Sequence, residues 1–158
     1  MPLRKKIFPF FTHSICGVFG FILGIYLLPI LIAPTSDDVK DIKLIESKAS
    51  YQGQFIPDIK GSDFFHWGDA LVSVTPTKIS VNGEVSPGPD YKIYLTNQYV
   101  EDESEFLAIK KDAALLADLK SFKNFIVSVP SGLDIESYNT IVIWCESFGE
   151  FITAAKYK

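Results

Sequence analysis

The sequence predicts an all-β domain, an antiparallel β-sandwich of about 7 to 8 short strands, preceded by one N-terminal transmembrane helix. Three observations lead there. From Ile15 to Ala33 every residue is apolar, glycine, proline or tyrosine, and the run matches the ~20 residues that a bilayer crossing needs. From Tyr51 onward, short runs of β-branched and aromatic residues alternate with polar ones, which is the period-2 pattern of half-buried strands. Turn formers such as Asn82-Gly83 and Pro87-Gly88-Pro89-Asp90 separate those runs at the spacing of sandwich strands.

The membrane segment comes first. Arg4, Lys5 and Lys6 precede an interval from Ile7 to Ser36 without Asp, Glu, Lys or Arg, and Asp37 and Asp38 follow it. This bias predicts a single pass of the cell membrane with a cytoplasmic N-terminus and an extracytoplasmic main domain. A cleaved secretory signal is the rival reading, but its apolar core would span about 7 to 15 residues and end in a small-x-small site. Leu31-Ile32-Ala33 lacks the first small residue. Cys16 lies early in the apolar run behind His13-Ser14-Ile15, which does not suit a lipid-modified cysteine. Gly20-x-x-x-Gly24, with Gly17 nearby, is a spacing that lets two helices approach in a homodimer, although glycine is common in any transmembrane helix. Residues 1–36 therefore read as a cytoplasmic tip and anchor.

Residues 37–50 are polar and mixed in charge, with Val39, Ile42 and Ile45 marking one face of a short helix in a linker or stalk. Residues 51–158 form the β-sandwich domain. Its first short strand runs from Gly53 to Ile56. The next covers Asp69 to Thr75, with Ala70, Val72 and Val74 on one face. A third, Lys78 to Val81, ends at Asn82-Gly83, a hairpin-turn signal. After the proline-glycine turn comes Tyr91 to Thr96, where Ile93 and Leu95 oppose Tyr94 and Thr96. In Phe106 to Leu119, Ala113-Ala114-Leu115-Leu116 suits either a helical turn or a strand. Phe125 to Val129, Thr140 to Cys145 and Phe151 to Ala155 complete the set.

Charge narrows the function classes. The net charge is −4, but residues 1–36 carry +3, so the rest carries −7 and does not favour nucleic acid or anionic lipid. Glu101-Asp102-Glu103-Ser104-Glu105 lacks the alternating ligand spacing of a calcium loop and reads as a solvated charge run. Asp63, Asp69 and Asp90 sit near turns, where aspartate bonds its local backbone. There is no nucleophile–His–Asp spacing, no phosphate-cradling glycine loop and no paired cysteines or histidines for a metal. A conventional enzyme is the least supported class.

One residue stands apart. Of the two cysteines, only Cys145 lies outside the apolar segment, at the end of the most apolar run, Ile141-Val142-Ile143-Trp144-Cys145. It has no partner for an intramolecular disulfide in its domain, so it is a small core residue or a reactive or ligating thiol. Parity groups it with Ile141 and Ile143, away from Val142 and Trp144. Two such thiols from two chains can also pair.

Four motifs in order then resemble a known family. They are Gly53-x-Phe55; His66-x-Gly68-x-Ala70-x-Val72; Gly88-Pro89-Asp90-Tyr91-x-Ile93-Tyr94-Leu95; and Tyr138-x-x-Ile141-Val142-Ile143-Trp144-Cys145-x-x-Phe148-x-x-Phe151-x-x-Ala154. Together they resemble the DM-thirteen electron-transfer domain, over nearly all of Tyr51 to the C-terminus. The resemblance implies an extracytoplasmic β-sandwich, in bacteria often tethered by one N-terminal helix. It further implies a redox role for the cysteine at position 145, as a free thiol or by holding a prosthetic group such as haem, and a redox partner protein. Lys120-Ser121-Phe122-Lys123-Asn124 departs from the family pattern in lacking a glycine turn before the strand that ends in proline.

A haem needs an axial ligand, and beyond the anchor the chain has no methionine and a single histidine. Cys145 and His66 are thus the candidate cofactor-binding residues, and Cys145 is the candidate redox thiol. His66 lies in Phe64-Phe65-His66-Trp67-Gly68, whose rings suit a flat cofactor or a plug at one end of the sandwich. A different class of function also fits the sequence: a non-catalytic protein- or glycan-binding module, with Cys145 buried and Tyr91, Tyr94, Tyr99 and Trp67 exposed to a partner.

Overall fold

The computed structural model describes residues 4–158. Helix α1 covers Arg4–Ile32. Its stretch Phe8–Ile32 has mean hydropathy 2.5 over its most apolar window, long and apolar enough to cross a membrane. The short helix marked by Ile42 and Ile45 also forms, as α2 (Val39–Glu46), capped by the Asp38 carboxylate accepting the Lys40 N–H at 2.8 Å. Ile42 and Ile45 are buried where α2 packs across strands of the first sheet.

Eight strands follow, in two four-stranded antiparallel sheets. The strands are β1 (Tyr51–Phe55), β2 (Gly68–Val74), β3 (Lys78–Val85), β4 (Tyr91–Thr96), β5 (Ala114–Leu119), β6 (Lys123–Ser128), β7 (Thr140–Cys145) and β8 (Glu150–Lys156). The first sheet has the order β1-β2-β3-β6 and the second β5-β4-β7-β8. The expected sandwich is therefore present. Its main core lies between the sheets, where Val72, Val74, Ile79 and Val81 face Ile93, Leu95, Ile141 and Ile143. The alternation read from β2, β4 and β7 is the alternation that fills this core.

A second, smaller core covers the outer face of the second sheet. Helix α3 (Glu103–Ile109) lays Phe106 against Tyr94, Val142, Trp144 and Phe151. The acidic run before it is not a loose charge cluster: the Asp102 carboxylate caps α3 by accepting the Glu105 N–H at 2.8 Å, and Lys60 bonds Glu105 at 3.0 Å. Hydrogen bonding to the Lys60 ammonium, first, and to that N–H pushes the Asp102 carboxyl down to about 2. The folded value lies below the ~3.9 of an unfolded aspartate, so this stabilisation is complete above that value and is lost as pH falls toward about 2. Asp102→Asn should flatten the acid limb of the stability curve in that window, as read by denaturant unfolding at successive pH values.

One local expectation is corrected. Asn82-Gly83 makes no hairpin turn: β3 runs on to Val85, and the pairing with β6 shifts register between Val81 and Glu84. The glycine serves a bulge, because Gly83 has φ +136 and a Cβ there would stand 2.3 Å from the Asp69 carbonyl oxygen. Of the two alternatives for Ala113-Ala114-Leu115-Leu116, the strand forms: β5 starts at Ala114, after a 3₁₀ turn at Lys110–Asp112 that Ala113 caps. In the glycine-free segment 120–124, Asn124 takes the left-handed conformation at φ 46, a role asparagine shares with glycine.

Antiparallel pairing gathers the β1–β2, β3–β4, β5–β6 and β7–β8 connections at one end of the sandwich. The chain also enters there from α1. The Asp37 N–H donates to the Asn124 carbonyl at 2.8 Å, and the Asp37 carboxylate accepts the Ile126 N–H at 2.7 Å.

Candidate functional site

Cys145 ends β7 at that same end, paired in register with Tyr91, the first residue of β4. Parity sends its side chain into the main core beside Ile143, and it is 2 % exposed. The thiol donates to the Pro89 carbonyl at 3.0 Å, so the β3–β4 loop closes over the sulfur. Burial pushes the thiol up from its ordinary pKa, with the Asp90 and Glu150 carboxylates adding to it, while the N–H groups of Phe148 and Ser147 pull the other way. At neutral pH the sulfur is protonated.

Two turns form the cover. The Ser147 hydroxyl donates to the Asp90 carboxylate at 2.8 Å, and the Glu146 N–H donates to the Asp90 carbonyl at 3.1 Å, tying the β7–β8 turn to the β3–β4 loop. The Ser147 hydroxyl first, then the Lys92 ammonium, hold the Asp90 carboxyl below its usual range against the opposing effect of burial. Asp90 has φ 53 and Gly149 φ +69, so both turns use the left-handed region. The third wall is the β1–β2 connection. It is bonded to the β3–β4 loop through the Ser86 N–H donating to the Trp67 carbonyl at 2.9 Å.

His66 sits in that third wall, in a tight local turn. The Asp63 carboxylate accepts the N–H groups of Phe65 and His66 at 2.6 and 2.8 Å and contacts the His66 Nδ1 at 2.9 Å. Burial raises the Asp63 carboxyl, yet the His66 ring and the two N–H bonds outweigh it and hold the group low. With Nδ1 engaged by a carboxylate, Nε2 is the nitrogen for any further partner.

The two candidate residues share one cavity. It has a volume of about 290 Å³ and is lined by His66, Tyr91, Cys145 and Phe148 from the domain and by Ile22 and Tyr26 from α1. Sequence spacing alone does not bring them together; the β1–β2 connection does, by returning to the mouth after Ile59 joins the second core. Sequence reasoning missed Pro89 as the cover of the thiol and Asp63 as the partner of His66. Neither leaves a local mark in the sequence, since Pro89 is brought over the thiol by the register of Tyr91 against Cys145.

A haem held by Cys145 would need a deprotonated sulfur facing open space. Here the sulfur is buried, protonated and turned to a carbonyl, and the cavity lies at the low end of the ~300–1,000 Å³ of ligand pockets. The thiol side of the site does not fit a haem. The His66 side, with a carboxylate on Nδ1, has the arrangement of many metal-bound imidazoles. Among the described residues no group of three or more His, Cys, Asp or Glu is placed to hold a metal ion.

The aromatics expected to contact a partner are corrected. Tyr91 and Tyr94 are 3 % and 9 % exposed, because both point into cores, and Tyr99 and Trp67 are half-buried. The exposed rings of the domain are instead Phe64, Phe65 and Phe148, at 86 %, 56 % and 58 %. All three lie at the mouth of the Cys145 cavity or next to it.

A family model described as electron transfer DM13 matches residues 58–157, more than half of the chain. No curated protein and no solved structure matches it.

Proposed function

The chain belongs to the DM13 electron-transfer family, and from that membership we propose that it is a membrane-anchored, extracytoplasmic module whose redox role is carried by the thiol of Cys145. The observation that supports this reading is the position of the thiol. It is the one cysteine beyond the anchor, and it stands at a cavity wall behind a single loop carbonyl rather than in mid-strand. The chemistry that a lone thiol can balance is disulfide exchange with a redox partner protein. The Cys145 sulfur forms a bond to one sulfur of the partner's disulfide as the S–S bond breaks, and the proton of the thiol ends on the departing sulfur. His66, in the same cavity wall, has its imidazole oriented by the Asp63 carboxylate at Nδ1. No step in this reading passes through a haem.

The charge bias around α1, basic before and acidic after, supports an N-terminus in the cytoplasm and the sandwich outside. Homodimerisation belongs to the same proposal. Gly17, Gly20 and Gly24 have open space at their Cα atoms, where a second helix can approach.

The test uses the full chain in detergent with Cys16→Ser, beside the same protein with Cys145→Ser. Iodoacetamide should alkylate Cys145 in the native state at least about 10-fold more slowly than an unstructured peptide thiol. The rate should still climb with pH beyond the ~8.5 of an ordinary cysteine. Alkylation that occurs only on global unfolding would make Cys145 a core residue, and the binding-module reading would replace this one. An absorbance band of haem type that shifts on reduction and vanishes with Cys145→Ser would overturn the thiol-only mechanism.

A further inference from the structure

We infer that the end of the sandwich holding the Cys145 cavity docks on the bilayer that α1 crosses, with Phe64, Phe65 and Phe148 inserted at the lipid interface. The inference rests on the anchor reading of α1 and goes beyond it.

The tether leaves little freedom. Only Ala33 to Ser36 separate the end of α1 from Asp37, which is bonded to Asn124 and Ile126 at the base of β6. Five residue steps of fully extended chain reach about 17 Å, so this end cannot stand far from the membrane. The opposite end of the sandwich is the length of the strands away.

Helix and domain already touch at a definite level. Tyr26 meets the Phe65 ring edge-on with centroids 6.4 Å apart, and Phe65 meets Phe64 in the same way at 5.1 Å. Tyr26 precedes Ile32 by six residues, so at the rise of an α-helix this contact lies about 9 Å along the apolar span from its outer end. That is within the ~5–10 Å depth at which interfacial apolar groups settle.

The side chains suit that depth. Every exposed phenylalanine beyond α1 is on this end, and all three remain exposed although α1 is packed beside them. In water three clustered exposed rings are a cost, and at a lipid interface they are anchors. Tyr26 of α1 supplies a fourth ring at the same level. The bilayer is therefore the occupant that accounts for both the short tether and the exposed rings. One consequence touches the redox site: the cavity of Cys145, walled on one side by Ile22 and Tyr26 of α1, faces the membrane, and a partner reaches the thiol from that side.

The experiment places the full chain in phosphatidylcholine vesicles, with or without bromine on the upper acyl chain, and reads tryptophan emission. Trp67 adjoins Ile30 and Ala33 of α1 beside these loops, whereas Trp144 is 1 % exposed and serves as the internal reference. The expected result is brominated-lipid quenching that Trp67→Phe abolishes. Replacing the three rings (Phe64→Ser, Phe65→Ser, Phe148→Ser) should reduce it, with Trp144 emission reporting an intact fold. A chain that resists alkaline carbonate extraction but shows no quenching of Trp67 would overturn the docking and leave the anchor standing. Release by carbonate would overturn the anchor reading itself, and the docking with it.

Discussion

Trp144→Ala is expected to lower the unfolding free energy by about 3–5 kcal/mol, the range for deleting a large buried aromatic. The side chain is 1 % exposed and is the centre of the second core. Its ring lies 5.0 Å from that of Phe106, which holds α3 on the sheet, and the Lys110 ammonium sits 5.0 Å from its centroid. Lys110 is held there by Glu146 at 2.7 Å, and Glu146 also accepts the Tyr94 hydroxyl. Truncation thus opens a cavity under α3 and frees a lysine whose position depends on the ring. Denaturant unfolding of the chain in micelles measures the loss. Trp144→Phe separates packing from polarity. The indole Nε1 is buried without a hydrogen-bond partner among the described residues, so phenylalanine removes an unpaired donor as well as some volume. The two effects oppose each other, and the phenylalanine variant should stay within about 1 kcal/mol of the parent. A large loss in both variants would mean that the indole N–H does have a partner.

What the sequence made legible was periodicity, and what it hid was long-range placement. The alternation Ile141, Ile143, Cys145 against Val142, Trp144 sorts those residues into the two cores as strand geometry requires. Asn82-Gly83 misled because positive φ is a local property shared by hairpin turns and bulges. Only the pairing of β3 with β2 and β6, residues 41 positions apart where Gly83 N–H meets the Asn124 side chain, selects the bulge. Asn124 was hidden for the related reason that a left-handed asparagine carries no stronger local mark than any other asparagine in a loop. The acidic run read as solvated charge because Lys60, its partner, lies 45 residues from Glu105. The candidate site followed the same division. Cys145 stood out by composition and parity, whereas its neighbourhood with His66 depends on a twelve-residue connection, residues 56–67, whose path no periodic pattern encodes.

Gly88→Ala is expected to raise the native-state alkylation rate of Cys145 by roughly 10-fold or more while costing about 1–3 kcal/mol of stability. A Cβ on residue 88 would stand 2.3 Å from the Tyr91 hydroxyl oxygen and 2.6 Å from the ring carbon that bears it. Tyr91 cannot yield inward, since it is 3 % exposed and its ring lies edge-on to Phe122 with centroids 5.9 Å apart. The loop must therefore move outward, and Pro89, the next residue, carries the carbonyl that holds the thiol. Each ~1.4 kcal/mol by which the closed loop is destabilised multiplies the open fraction tenfold, and only the open fraction exposes the sulfur. Gly132→Ala is the matched control. It lies in the β6–β7 connection at the far end, with open space around its Cα but φ +95, so alanine there strains the backbone without touching the site. If opening at Cys145 is local, Gly88→Ala accelerates alkylation and Gly132→Ala, at comparable loss of global stability, does not. Equal acceleration in the two variants would mean that the thiol is reached only through unfolding of the whole sandwich, and a redox role for Cys145 in the folded protein would fail with it.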